Sequence, residues 1–416
     1  MAGSPAPAGG AADDHSRGAD LGVTALDRIP RGARGVAILG IVVGLVGLEL
    51  ALPPLQVQAA AVPVVLGLAA LACAIWALTR DERKLGLWTL FVAVVATAFA
   101  IWVQGKSDSS TALVVNSGLF AAMLVYATPL AYAALGGIFC ERSGVVNIGL
   151  EGMMLTGAFF GIWGTVWSGS WVIGLVVAML AGAVVALVHA VFAIHLRADQ
   201  IVTGTAINFL ALGVTGYLFI DIYGSNGTPA SIDSVPDISL PGIRSIPGIG
   251  GVFGSLNLMI WLVFGLLVLT EVILFRTPIG LRIRSVGEHP RAADTVGIPV
   301  YRIRYICVIL SGMLAAMGGA YLSIGFVGSF GQNMTAGRGF IALAAVIFGK
   351  WRPYGAFGAC LLFGFASGLA DRLQSVAGVS PNLLNTLPYV LTLIALVGLV
   401  GRSRPPAADG QPYVKG

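Results

Sequence analysis

Apolar residues run in long blocks along this chain, separated by short polar seams. The blocks cover residues 36–52, 61–79, 85–103, 113–135, 148–167, 171–196, 201–220, 258–275, 305–326, 339–349, 353–370 and 387–400, twelve in all. A helix needs about 20 apolar residues to cross a bilayer, within a range near 17–25. The pattern therefore predicts an all-α polytopic membrane protein of about 10–12 transmembrane segments. Block 339–349 is too short to span unless preceding residues extend it or it is a half-helix. Block 387–400 is marginal and reads as starting earlier. Residues 1–34, rich in Ala, Gly, Pro and Asp, read as a disordered tail. They are not a removable secretory signal, because the first apolar block starts only near Val36 and has no small-residue cleavage site.

The seams carry charge unevenly, and this orients the chain. The longest internal basic seam, RTPIGLRIRSVGEHPRAADTVGIPVYRIR over residues 276–304, holds six Arg against two acids, Glu288 and Asp294. Cations concentrate in cytoplasmic loops. With twelve crossings and the N-terminus inside, 20 of the 24 Lys and Arg fall on the cytoplasmic side, leaving Lys106, Arg244, Arg338 and Arg372. Both termini are then cytoplasmic. Within the seam, Pro290–Val296 predicts a short helix. Pro290 suits its first position, Ala292, Ala293 and Val296 recur at helical spacing, Gly297 can stop it and Pro299 lies just beyond. Such a helix could dock on a soluble partner; the simpler alternative is that the arginines only fix topology. The connection 221–257 falls outside. It is rich in Gly, Pro and Ser, has turn signals at Ser225-Asn226-Gly227 and Pro241-Gly242, and carries one cation, Arg244.

Composition agrees with the pattern: 57% of residues are hydrophobic and 10% charged, where soluble domains have about 25% charged residues. The net charge of +5 does not point to nucleic acid, because the cations sit in short loops. Cys73, Cys140, Cys307 and Cys360 have no paired metal-ligand spacing and read as buried thiols. Glycine is abundant, at 57 residues, and suits close helix approach. No P-loop is legible: Phe348-Gly349-Lys350-Trp351 lacks the upstream Gly and the following Ser or Thr. The four His (His15, His189, His195, His289) are dispersed, and no nucleophile and base converge. The chain is not expected to be an enzyme. If ATP drives it, another chain binds the ATP and Mg.

Two polar stretches interrupt the apolar blocks. Gly136–Gly152, GGIFCERSGVVNIGLEG, places Glu141, Arg142, Asn147 and Glu151 around the start of a span. Such groups are expensive in the membrane and face a bundle interior or a water-filled path. Asn147 and Glu151, four apart, are expected to share a helix face, and the glycines suggest an interrupted helix lining a cavity. The alternative is an interfacial Glu141–Arg142 pair with Asn147 capping the helix. Arg197–Asn208, RADQIVTGTAIN, leads Gln200, Thr203, Thr205 and Asn208 into a span. Gln200 and Thr203 share one face, Thr205 and Asn208 another. They suit a hydroxylated or amide-bearing solute; interhelical hydrogen bonding competes as the explanation. The candidate substrate path is thus Asn147, Glu151, Gln200, Thr205 and Asn208.

GGIFCERSGVVNIGLEGMM, RADQIVTGTAINFLA, TPIGLRIRSVGEHPRAADTVGI, GRGFIALAAVIFGKWRP and PYVLTLIALVGLVGR with QPYVKG, taken together, resemble the permease subunits of bacterial nucleoside ABC importers. These belong to the wider group of ribose-type and branched-chain amino-acid permeases. The resemblance covers residues 113 to the C-terminus. It implies a permease core over 113–401, a cytoplasmic C-tail over 402–416 and additional N-terminal segments over 35–112. It also implies that the loop with Arg284, Gly287, Glu288, Arg291, Ala292, Ala293 and Gly297 couples to an ATP-binding subunit. Here Glu288 is separated from Ala292-Ala293 by His289-Pro290-Arg291, so the loop is a variant of the Glu-Ala-Ala…Gly pattern. Further implied partners are a second homologous permease and an external, lipid-anchored binding protein delivering the nucleoside at the bacterial plasma membrane. A permease for ribose or branched-chain amino acids stays open as an alternative. So do an ion-coupled secondary transporter with Glu151 as its buried carboxylate, and a non-transport scaffold.

Overall fold

Where they are described, the apolar blocks fold as helices, since backbone in hydrocarbon must close its own hydrogen bonds. The computed structural model describes residues 61–79, 117–224, 227–229, 231–244, 250–376, 386 and 403–415, with scattered positions between 36 and 44 and between 86 and 97. The chain divides into two units, residues 1–107 and 108–416.

In the first unit, α1 (Ala61–Thr79) turns a stripe of Ala70, Ala74 and Ala77 inward. The described positions of 36–44 and 86–97 are helical, and Thr89 donates to the Ala37 carbonyl at 3.0 Å.

The second unit holds α2 (Ser117–Arg142), α3 (Leu150–Ser168), α4 (Trp171–Ala190), α5 (Gln200–Tyr223), α6 (Leu258–Arg276), α7 (Pro278–Glu288), α8 (Pro290–Thr295), α9 (Val300–Ala320), α10 (Arg338–Phe348) and α11 (Pro353–Val376). π-helical turns at Val191–His195 and Tyr321–Val327 extend α4 and α9. Among the described residues, seven helices are long and apolar enough to cross a membrane: α1, α2, α4, α5, α6, α9 and α11. The nineteen-residue α3 is richer in Gly and Thr and is mostly buried as far as Thr165, with Val166 and Trp167 exposed beyond it. The expected segment over 387–400 lies outside the described residues, and the residue-339 block is a half-helix of eleven residues.

Two helices form the centre. Burial reaches 78% along α9 and 61% along α2, against 17% along α5 and 22% along α4. α9 packs on α2, α3 and α4; α2 packs on α10 and α11. Small residues permit the close crossings. Gly182 of α4 and Gly312 of α9 face each other so closely that a Cβ on either would lie 2.5 or 2.6 Å from the other's carbonyl oxygen.

The connection over 221–257 contributes the strands: β1 (Asp237–Ser239) pairs antiparallel with β2 (Ser255–Asn257). Asn257 caps α6 through Met259 N at 3.0 Å, and its amide donates to Val235 O at 3.0 Å and Gly325 O at 3.1 Å. That connection is thus tied to the end of α9. Cys140, Cys307 and Cys360 are free and buried, as their apolar setting predicts, while Cys73 is half-buried.

Candidate functional site

The chain leaves the helix at Arg142 and re-enters it at Leu150. Asn147 stands in the intervening turn, so the expected helix face shared with Glu151 does not form. Asn147 does not cap α3 either, whose N-cap is Gly149. The turn is held from three sides. Gln200 Oε1 accepts from Val146 N at 2.7 Å, His189 Nε2 meets Val146 O at 3.0 Å, and Asn147 Nδ2 donates to Ser311 Oγ at 3.0 Å. Asn208 closes the start of α3, accepting from Gly152 N at 2.8 Å and donating to Ile148 O at 3.0 Å. Thr205 and Thr203 bond back to their own helix, at Ile201 O and Asp199 O. Three buried polar atoms around the turn have no partner: Asn147 Oδ1, His189 Nδ1 and Gln200 Nε2. His189 was not marked by the sequence, where it reads as one isolated His in an apolar run.

Glu151 holds a second break. Its Oε1 accepts from Thr335 Oγ1 at 2.6 Å and Gly337 N at 2.8 Å; its Oε2 accepts from Gly339 N at 2.6 Å. One carboxylate thus fixes the loop between α9 and α10 and meets the N-terminal amides of α10, where negative charge is favoured.

Against the first break, at the Arg142 end of α2, lies the basic seam. It forms two helices rather than the single short one expected: α8 matches Pro290–Val296 closely, while α7 had no clear sequence signal. Thr277 caps α7 through Gly280 N at 3.3 Å, with Pro278 in the first turn. Ile283 and Val286 of α7 are buried, whereas Ile279, Leu281 and Val296 are 61–74% exposed. Gly287 presses on the end of α2: a Cβ there would lie 2.2 Å from Arg142 O. Arg142, Arg284 and Arg352 surround the Phe275 ring, 5.2–5.7 Å from its centroid. Glu141 does not pair with Arg142; it accepts from Trp351 Nε1, while Arg142 Nε donates to Trp351 O at 3.1 Å. Arg291, Ala292 and Gly297 are exposed, and Ala293 is buried.

The C-terminal tail straps this seam. Glu288 accepts from Ala407 N at 3.1 Å, Gly287 O from Ala408 N at 2.9 Å, and Gln411 O from Arg304 Nη1 at 3.0 Å. Tyr413 packs with Val286, Ala293 and Val300, and its carbonyl accepts from Tyr301 at 3.3 Å. A groove of about 520 Å³ runs between tail and seam, past Glu288, Arg291 and Ala292. Sequence reasoning gave the tail only a location; Tyr413 in a short polar terminus was the available signal.

Residues 119–396 match the family described as branched-chain amino acid transport system / permease component. The chain is 47% identical over 310 residues to the guanosine ABC transporter permease protein NupQ of Bacillus subtilis, covering 71% of this chain and 96% of that one. It is 39% identical over 312 residues to the nucleoside ABC transporter permease protein NupC of Lactococcus lactis, with the same coverage of 71% and 96%. It is 34% identical over 303 residues to a putative glucose ABC transporter permease protein of Haloferax volcanii, covering 67% and 91%. No solved structure matches it. The family match over residues 119–396 and the 47% identity to a permease protein, on a chain of apolar spans, place it in the branched-chain amino acid transport system permease family, as a non-catalytic, multi-pass subunit of the plasma membrane.

Proposed function

We propose that this chain is one of two permease subunits of an ABC importer for nucleosides, with ATP and Mg bound on a separate ATP-binding subunit and an external binding protein delivering the solute. The observation that carries this is the 47% identity to a guanosine permease over nearly that protein's whole length. The presence of a second, more distant nucleoside permease protein in Lactococcus lactis, 23% identical, supports pairing with a related chain.

In this reading the seam 276–304 is the coupling element. Exposed Arg291 and Ala292, with apolar Ile279, Leu281 and Val296 beside them, form the docking face for the ATP-binding subunit. Gly287 and Glu288 join that face to α2 and the tail. Arg284 lies against Phe275, at the root of the seam. Closure of the ATP-binding subunits moves α7 and α8, and with them α6 and α9, so the central path opens alternately outward and inward.

Asn147, Glu151, Gln200, Thr205 and Asn208 border that path. Asn147 and Gln200 retain an unpaired polar atom each beside the broken turn, as does His189. These atoms offer hydrogen bonds to ribose hydroxyls and base edges. Glu151 and Asn208 hold the two breaks in place.

Glu288→Arg and Gly287→Pro are expected to abolish ATP-dependent nucleoside uptake in cells while the protein reaches the membrane at normal level. Normal uptake in both variants removes the coupling role.

A further inference from the structure

Away from the coupling seam, α2, α10 and α11 line an open cavity of about 410 Å³, with Ala336, Asp371 and Gln374 exposed at its mouth. Tyr126 precedes Arg142 by sixteen helical residues, about 24 Å of rise, which sets the cavity across the membrane from the seam. Its α11 wall is a single helix face: Phe363, Ser367, Ala370, Asp371 and Gln374 fall at helical spacing. Tyr126 of α2 hydrogen-bonds Asp371. Arg338 enters from α10, fixed by bonds from Nη1 to Met334 O at 2.9 Å and Thr335 O at 3.1 Å. Buried Phe363 and Leu130 give the apolar floor.

We infer that this cavity is a nucleoside-binding vestibule on the external side of the permease, an inference that rests on the nucleoside reading above. Its volume falls within the roughly 300–1,000 Å³ of small-molecule sites. It combines an apolar floor for a base with one carboxylate, one guanidinium, a phenol and an amide. That set matches a neutral ligand rich in both donors and acceptors. A branched-chain amino acid could satisfy Arg338 and Asp371 but would fill only a fraction of the space. The Asp371 carboxylate accepts from paired donors, such as vicinal ribose hydroxyls. Arg338 faces a ring carbonyl or ring nitrogen. Because Thr335 belongs to the loop that Glu151 holds and Arg338 opens the half-helix after it, the vestibule is built on the same break as the path below it.

The test uses the assembled transporter in membranes without ATP, carrying Ser367→Cys in a Cys73→Ala background. The labelling rate of that thiol by an impermeant maleimide added outside is measured with and without guanosine, uridine, ribose and leucine. The expected result is severalfold slower labelling with either nucleoside and no effect of leucine. Asp371→Asn and, independently, Tyr126→Phe should weaken the protection about tenfold in nucleoside concentration, the effect of losing roughly one hydrogen bond to a charged group. Equal labelling with and without nucleoside, or protection by leucine alone, overturns the vestibule. Nucleoside uptake by wild-type cells is measured alongside. Uptake without protection overturns the vestibule only, whereas absent uptake overturns the reading on which it rests.

Discussion

Arg304 carries its charge into a site only 1% exposed. It donates through Nε to Ser143 O at 3.2 Å and through Nη1 to Gln411 O, and Nη2 has no hydrogen-bond partner. The side chain therefore joins three pieces: the turn after α2, the root of α9 and the tail. Asp409 lies in the same pocket, its Oδ1 also unpartnered. Burial pushes the Asp409 carboxyl up to about 7, against the opposing pull of the Gly410 amide and the Arg304 cation. A carboxyl whose folded value is raised favours the docked tail below its free value near 3.9, and that contribution is lost as pH rises through about 7. Hydrogen-exchange protection at the Ala407 and Ala408 amides should accordingly fall between about pH 4 and pH 7, and Asp409→Asn should flatten the profile. Protection that rises with pH would show that the ionised Asp409–Arg304 pair dominates instead. The polar residues worth attention in the apolar blocks were legible, because each is costly in a membrane. Their partners were not: Asn147 meets Ser311 and Glu151 meets Thr335 across 164 and 184 residues of sequence, distances that local spacing does not encode.

Among the elements, α8 was legible because Pro290, Gly297 and Pro299 punctuate it. The helix α7 was obscured by Arg282, Arg284 and two glycines, which read as loop. Its helical state depends on the Thr277 cap and on burial of Ile283 and Val286, a tertiary effect. The half-helix α10 could be read from its length alone, but its latch by Glu151 could not. The tail behaves as an element of the coupling apparatus although it has no regular secondary structure. Its anchor is Tyr413, 4% exposed among Val286, Ala293 and Val300. Replacing a buried aromatic by Ala costs about 3–5 kcal/mol where the site cannot collapse, more than a short strap is expected to withstand. Tyr413→Ala should therefore release the tail to protease and reduce ATP-dependent uptake severalfold, with membrane insertion unchanged. Unchanged uptake with a cleavable tail would confine the strap to a passive role.

Across the whole molecule, α2 and α9 run from the coupling seam to the proposed vestibule and are the most buried spans. A displacement at Gly287 thus acts directly on helices that reach the other side. The span pattern sufficed to read an all-α polytopic membrane protein from the sequence, since hydropathy is a local property, whereas the reading as a transport subunit came from the resemblance of the five motifs to nucleoside ABC permeases. The vestibule was not legible, because Tyr126, Arg338 and Asp371 are brought together only by helix packing. The most direct measurement is uptake of radiolabelled guanosine, adenosine and uridine by cells with and without this gene, repeated with ATP depleted while ion gradients are held. Loss of ATP-dependent nucleoside uptake on deletion is the predicted result. Uptake that persists without ATP and follows the ion gradient, or no nucleoside effect at all, would contradict it.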